Sequence, residues 1–216
     1  MKFTVTVLYD NESIVEGLRP DWGFAALVES AKGPPVLFDT GADGRTLLYN
    51  ASRLDVDVSA IGAIVISHWH WDHAGGLPLV LKKAGVADLY APAVASEHVP
   101  EERLHIVGGN PVEIVPGVYS TGVLDGMEQS LVLTGDQGGF VIMGCAHPGV
   151  KRLLAAARSI SEPYALLGGL HGFSDLSALE ALDVVYPGHC TQRTQEILER
   201  YPDKAHRCGA GLVVTT

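Results

Sequence analysis

His68-Trp69-His70-Trp71-Asp72-His73 places three imidazoles and a carboxylate within six consecutive residues. An apolar run, Ile61 to Ile66, leads into this hexapeptide, and Ala74-Gly75-Gly76 follows it. The segment reads as the end of a buried strand giving way to a helix, a junction that fans neighbouring side chains out from one mouth. Imidazole nitrogen and carboxylate oxygen form the donor set that a zinc-like divalent ion prefers. A single histidine is ordinarily a core or surface residue with a satisfied hydrogen bond. Three of the chain's 9 histidines gathered here, inside a patterned domain, point instead to half of a metal site.

The same unit recurs along the chain. Pro35-Val36-Leu37-Phe38 ends at Asp39, Phe140-Val141-Ile142-Met143 ends near His147, Tyr164 to Leu167 runs to His171, and Leu182 to Tyr186 runs to His189. Uninterrupted apolar runs of this length are typical of strands buried on both faces. Ends of this kind aimed at one place would gather a polar cluster at the edge of a sheet. Helical spacing falls between the strands, at Leu47, Ala51 and Leu54, at Leu77, Val80, Leu81 and Ala84, and at Val150, Leu153, Leu154 and Ala157. Pro78 is tolerable in a first turn, and a weaker helix is expected from about Thr191 to Arg200. Val86 to Leu133, with Pro92, Pro100, Gly108-Gly109, Pro111 and Pro116-Gly117, reads as loop-rich and strand-bearing, the place for substrate-facing variation. The alternation predicts an α/β fold, an αββα sandwich of two facing mixed sheets with helices outside, formed as one domain over residues 1–216.

Composition narrows the function. A net charge of -10, from 15 basic and 25 acidic residues, argues against a nucleic-acid surface and so against a nuclease. The opening Met1-Lys2-Phe3-Thr4-Val5-Thr6-Val7-Leu8 alternates like a half-buried strand and lacks the apolar core of a signal peptide. With no run of about 20 apolar residues, no membrane span is expected, and the expected location is cytoplasmic. Cys145, Cys190 and Cys208 cannot form a paired disulfide framework. Cys145 and Cys190 lie near His147 and His189 in sequence, so a ligand role is conceivable, but a small buried residue beside a site is the preferred reading of each.

Besides the hexapeptide, His147, His171 and His189 are ligand candidates, each at an apolar strand's end with flanking glycines that let backbone pass close to a metal. The alternative for each is a capping or surface histidine. Asp39, in Leu37-Phe38-Asp39-Thr40-Gly41, is the candidate to hold the second ring nitrogen of a metal-bound histidine. Its alternative is a turn cap ahead of Gly41.

In these residues the chain resembles the metallo-β-lactamase superfamily, whose His-x-His-x-Asp-His motif is matched in full at positions 68 to 73. The resemblance covers essentially the whole chain and implies the αββα fold with two metals at one edge. It implies that His68, His70 and His147 hold the first metal, and Asp72, His73 and His189 the second. The cofactors implied are one or two divalent ions, zinc first, with manganese or iron as alternatives. Leu8-Tyr9-Asp10-Asn11-Glu12-Ser13, Glu128-Gln129-Ser130-Leu131, Gly144-Cys145-Ala146-His147-Pro148-Gly149 and Pro187-Gly188-His189-Cys190-Thr191 resemble the branch of dihydropterin ribofuranosylaminobenzene phosphate synthase-like hydrolases. One departure concerns the metals: the bridging aspartate expected between His147 and His189 is absent by its usual motif, and His171 stands in the corresponding place. A neutral imidazole has one lone pair and cannot bridge two metals as a carboxylate can. His171 would then ligate one metal or touch the substrate, and Asp175 lies beyond the expected position.

The expected function is that of a metal-dependent hydrolase acting on a small phosphorylated or ester-type substrate through metal-activated water, with Asp72 orienting the water and His171 handling a proton or developing charge. The alternatives are a pterin-joining synthase with a diphosphate leaving group and a non-catalytic metal or ligand sensor. His70, where a di-iron oxidoreductase of this fold carries glutamate, disfavours redox chemistry. The partner expected is a small-molecule substrate, with no nucleic acid and no membrane, and the oligomeric state is left open. Trp69 and Trp71 are expected to point away from the ligands or around the rim, a structural role being preferred to pterin stacking. Lys151 and Arg152 read as a solvated helix face.

Overall fold

Val36-Leu37-Phe38 shows how the layers arise. Successive strand side chains point to opposite faces, so Val36 and Phe38 enter one apolar cluster and Leu37 another, and all three are buried. The computed structural model describes residues 1–93 and 101–216, which leaves Pro100 outside the described residues. Its elements, in order, are β1 (Phe3–Tyr9), β2 (Ala25–Ser30), β3 (Gly33–Phe38), α1 (Gly44–Arg53), β4 (Ala63–Val65), α2 (Trp71–Ala74), α3 (Leu77–Lys83), β5 (Asp88–Ala91) and β6 (Leu104–Ile106). There follow β7 (Val112–Val115), β8 (Val118–Ser120), β9 (Leu131–Gly135), β10 (Gly138–Met143), α4 (Val150–Arg158), β11 (Pro163–Gly169), β12 (Val184–Gly188), α5 (Thr194–Arg200) and β13 (Val213–Thr215).

Two mixed sheets result. One runs β13-β1-β2-β3-β4-β5-β6 and the other β12-β11-β10-β9-β8-β7. Their inner faces meet through Val5, Val7, Phe38 and Val65 on one side and Leu133, Phe140, Ile142 and Leu167 on the other. The outer face of the first sheet packs Leu37 and Ile64 against Leu47 of α1 and Val80 of α3. The outer face of the second packs Val141 and Leu166 against Leu153 of α4 and Ile197 of α5. This is the αββα sandwich, and burial on both faces explains the apolar runs.

The parallel strands carry the candidate site. β3 pairs parallel with β4, and β10, β11 and β12 are mutually parallel, so each half of the sandwich sends several strands in a common direction. Residues just past their carboxyl ends converge on one edge. Four of those residues, Asp39 (φ 59), Ala146 (φ 58), His171 (φ 47) and His189 (φ 46), adopt the left-handed backbone conformation that side chains other than glycine rarely take. Such strain collects where the surrounding structure over-determines a functional geometry.

Two element boundaries differ from expectation. The helix after β4 begins inside the hexapeptide, because the N–H groups of His73 and Ala74 donate to the His70 carbonyl, each at 3.0 Å. The last helix starts at Thr194 rather than Thr191, because the Thr191 hydroxyl donates to Gly188 O at 2.7 Å and accepts from Leu170 N at 3.0 Å, tying the ends of β11 and β12 together. No helix among the described residues is long and apolar enough to cross a membrane.

Candidate metal centre

The hexapeptide divides between two donor groups. His68, His70 and His147 have ligand atoms within 4.8 Å of one another, and so do Asp72, His73 and His189. His68 and His73, with ring centroids 4.2 Å apart, lie where the two groups meet. His171 joins none of these groups among the described residues. Its ring lies 5.0 Å from that of His147, at an exposed position on the rim. Asp39, completely buried, sits beneath the hexapeptide.

Hydrogen bonds decide which ring nitrogens face inward. Asp39 accepts from Ser67 N, from Ser67 Oγ and from His73 Nδ1, each at 2.7 Å. Since the Ser67 hydroxyl proton is committed to Asp39, His68 Nδ1 donates to Ser67 Oγ, at 2.9 Å. Asn11 Oδ1 accepts from Gly23 N at 3.1 Å and from His189 Nδ1 at 3.0 Å, and Asn11 Nδ2 donates to His189 O at 2.9 Å. This network assigns the Nδ1–H tautomer to His68, His73 and His189 and leaves their Nε2 atoms unprotonated, that of His68 facing His70 Nδ1 at 3.0 Å and that of His73 facing Cys145 Sγ at 3.1 Å. Two bare nitrogens, His73 Nε2 and His189 Nε2, then face each other at 3.1 Å. Lone pairs so placed repel unless a cation lies between them. His147 Nε2 is likewise buried with no hydrogen-bond partner among the described residues. The donor set fits a divalent metal on both counts.

The electrostatics agree. Burial pushes His68 down to about 2 and His73 down to about 3, with the neighbouring histidines adding to the effect, so both rings are neutral, as ligands must be. At Asp72 burial works against ionisation, but contacts with His189 and His73 outweigh it and hold the carboxyl below its usual range. Its Oδ2 accepts from Trp22 Nε1 at 2.9 Å and lies 3.4 Å from His189 Nε2.

Several residues at the site carried no functional assignment in the sequence. Glu128, completely buried, accepts from the N–H groups of Cys145 and Ala146 at 2.9 Å and of His147 at 2.8 Å, and so fixes the turn that delivers His147. Asp10 Oδ2 accepts from His189 N at 3.0 Å. Trp22 is half exposed and lies edge-on to His189, with ring centroids 5.4 Å apart. It is the tryptophan that reaches the cluster. Trp69 instead donates to Pro92 O at 3.0 Å and packs on the outer core, and Trp71 stands 64% exposed. Lys151 and Arg152 form surface ion pairs with Asp175 and Asp125. Cys145 and Cys190 are buried as expected, but their sulfurs lie 3.2 Å apart, and Cys145 Sγ is 3.1 Å from His73 Nε2. The Cys190 contact, followed by burial, raises the Cys145 thiol above its ordinary range.

A fold of two facing mixed sheets with paired histidine-rich donor groups at one edge defines a class. The chain belongs to the metallo-beta-lactamase superfamily, whose family model matches residues 19–189. It is similar to 7,8-dihydropterin-6-methyl-4-(beta-D-ribofuranosyl)-aminobenzene-5'-phosphate synthase of Methanocaldococcus jannaschii, at 25% identity over 83% of each chain. Among solved structures it is similar to Tm1679, described as a metal-dependent hydrolase of the beta-lactamase superfamily, with 25% identity, a TM-score of 0.76 and 98% of each chain covered. The metallo-beta-lactamase fold protein YhfI from Bacillus subtilis shares the fold at 14% identity and a TM-score of 0.69, over all of both chains.

Proposed function

We propose that the chain is a metal-dependent hydrolase that uses metal-activated water on a small phosphorylated or ester-type substrate. The observation that carries this reading is the pair of donor groups with bare imidazole nitrogens turned toward one another and toward the edge of the sandwich. Divalent ions bound there, with zinc first among the candidates, supply Lewis-acid activation of water and of the oxygen under attack. The chain's own residues do the rest. Asp72, held by Trp22 Nε1, orients the attacking water by accepting its proton in a hydrogen bond. His171, exposed beside His147, donates a proton to the departing oxygen. A cavity of about 280 Å³ bounded by His147, His171, Leu170 and Phe173 suits a small substrate. Nucleic acid and membrane are not proposed as partners.

A pterin-joining reaction is the second reading, favoured by the 25% identity to the named synthase. The test is elemental analysis of untagged protein coupled to an activity screen over phosphate esters, thioesters, lactones and a pterin diphosphate. Hydrolysis of one class, lost on chelation and restored by zinc or manganese, is the expected result. Turnover that survives complete metal removal would sink the mechanism, and coupling of the pterin diphosphate to an aryl acceptor would favour the second reading.

A further inference from the structure

Resting on the metal-centre reading above, we propose that Cys145 is the ligand shared by the two donor groups, its thiolate taking the bridging place at which the usual aspartate motif is replaced by His171. Cys145 Sγ lies within 4.8 Å of ligand atoms of His68 and His73, and those two histidines belong to different groups. The same sulfur lies within that distance of His189 and Cys190. No other side chain in these groupings joins a histidine of one half-site to a histidine of the other. His171, just past β11, is exposed and belongs to none of these groupings, and Asp175 is engaged by Lys151 at the surface.

The chemistry suits the position. A thiolate keeps several lone pairs and can contact two cations, which a neutral imidazole cannot. Binding is balanced simply: each ion gains a bond to sulfur, and the thiol proton leaves to solvent, since a coordinating thiol is deprotonated outright. The sulfur is also positioned rather than incidental. Glu128 fixes the Cys145 backbone with the same carboxylate that fixes His147. Cys190 Sγ packs against Cys145 Sγ at 3.2 Å and helps to fix where that sulfur lies. Gly169 leaves room for this partner, since a Cβ there would lie 2.7 Å from Cys190 Sγ.

The test is cobalt reconstitution of the full chain under a reductant, with all thiols titrated as free beforehand. The unsubstituted protein is expected to show visible d–d bands from histidine-bound cobalt and, in addition, a near-ultraviolet sulfur-to-cobalt charge-transfer band. Electron paramagnetic resonance of the fully loaded protein is expected to show coupled ions. Cys145→Ser and Cys145→Ala should lose the charge-transfer band and the coupling, retain d–d bands, and bind fewer ions per chain. Cys190→Ser should keep the charge-transfer band. Visible bands without the charge-transfer band in the unsubstituted protein would overturn the inference and leave the metal centre standing. A band that survives Cys145→Ala, or one that Cys190→Ser abolishes while Cys145→Ala does not, would also overturn it. An intact band with uncoupled ions would make the sulfur a ligand of one ion only and defeat the sharing. Absence of any cobalt spectrum would defeat the metal-centre reading itself.

Discussion

At the scale of single residues, the decisive group is Asp39. It touches no substrate, yet its bonds to Ser67 and His73 set the tautomers of two histidines at once. Burial pushes its carboxyl up, and the two bonds from Ser67 oppose that shift. Outer carboxylates of this kind are commonly worth about 10–100-fold in metal affinity. Asp39→Asn is therefore expected to weaken zinc binding by about that factor, read by competition against a chromophoric chelator; an unchanged constant would show that the histidines orient themselves without it. Asp39 was legible in the sequence because it ends an apolar run two residues before Gly41. Asn11 and Glu128 were visible only as family-like motifs, since their partners His189 and Cys145 to His147 are remote in sequence.

At the scale of elements, the turn from β10 into α4 carries the most constraint. Three consecutive N–H groups point at Glu128, and Gly144 lets that turn lie against the end of β4. A Cβ on Gly144 would lie 2.3 Å from Ser67 Oγ and 2.8 Å from Ser67 Cβ. Gly144→Ala should cost about 1–3 kcal/mol by overpacking, seen as a melting point lower by about 2–4 °C for each kcal/mol. It should also weaken metal binding, because Ser67 is the group that orients His68. A variant as stable and as tight-binding as the unsubstituted protein would mean that the turn relaxes freely. The four longer helices and β1, β3, β4, β10, β11 and β12 were readable from their patterning, whereas β2, β9, β13 and the start of α2 inside the hexapeptide were not. That boundary depends on the His70 carbonyl accepting two N–H groups, a backbone choice that residue type does not dictate.

At the scale of the whole molecule, the cost of bringing histidines together without an ion should appear as a pH dependence. His68 and His73 have folded values of about 2 and about 3, below the ordinary 6.5 that the unfolded chain recovers, so the unfolded state binds more protons on acidification. Their contribution to stability is full above about 6.5 and declines as pH falls from there toward the folded values. The denaturation midpoint of metal-free protein should therefore drop steadily between about pH 7 and about pH 5, and bound zinc should be lost over the same window. A flat midpoint across that window would mean that the rings are more hydrated than their burial indicates. The sequence by itself determined the sandwich and the histidines at its strand ends, because apolar period and adjacent ligands are local properties of the chain. The family resemblance already implied which histidines group together; only the tertiary structure decided that Trp22 rather than Trp69 or Trp71 reaches them, and that Cys145 stands between the two groups. Those facts depend on how two sheets, one of which takes strands from both ends of the chain, register against each other across a common core, and no local signal encodes that register.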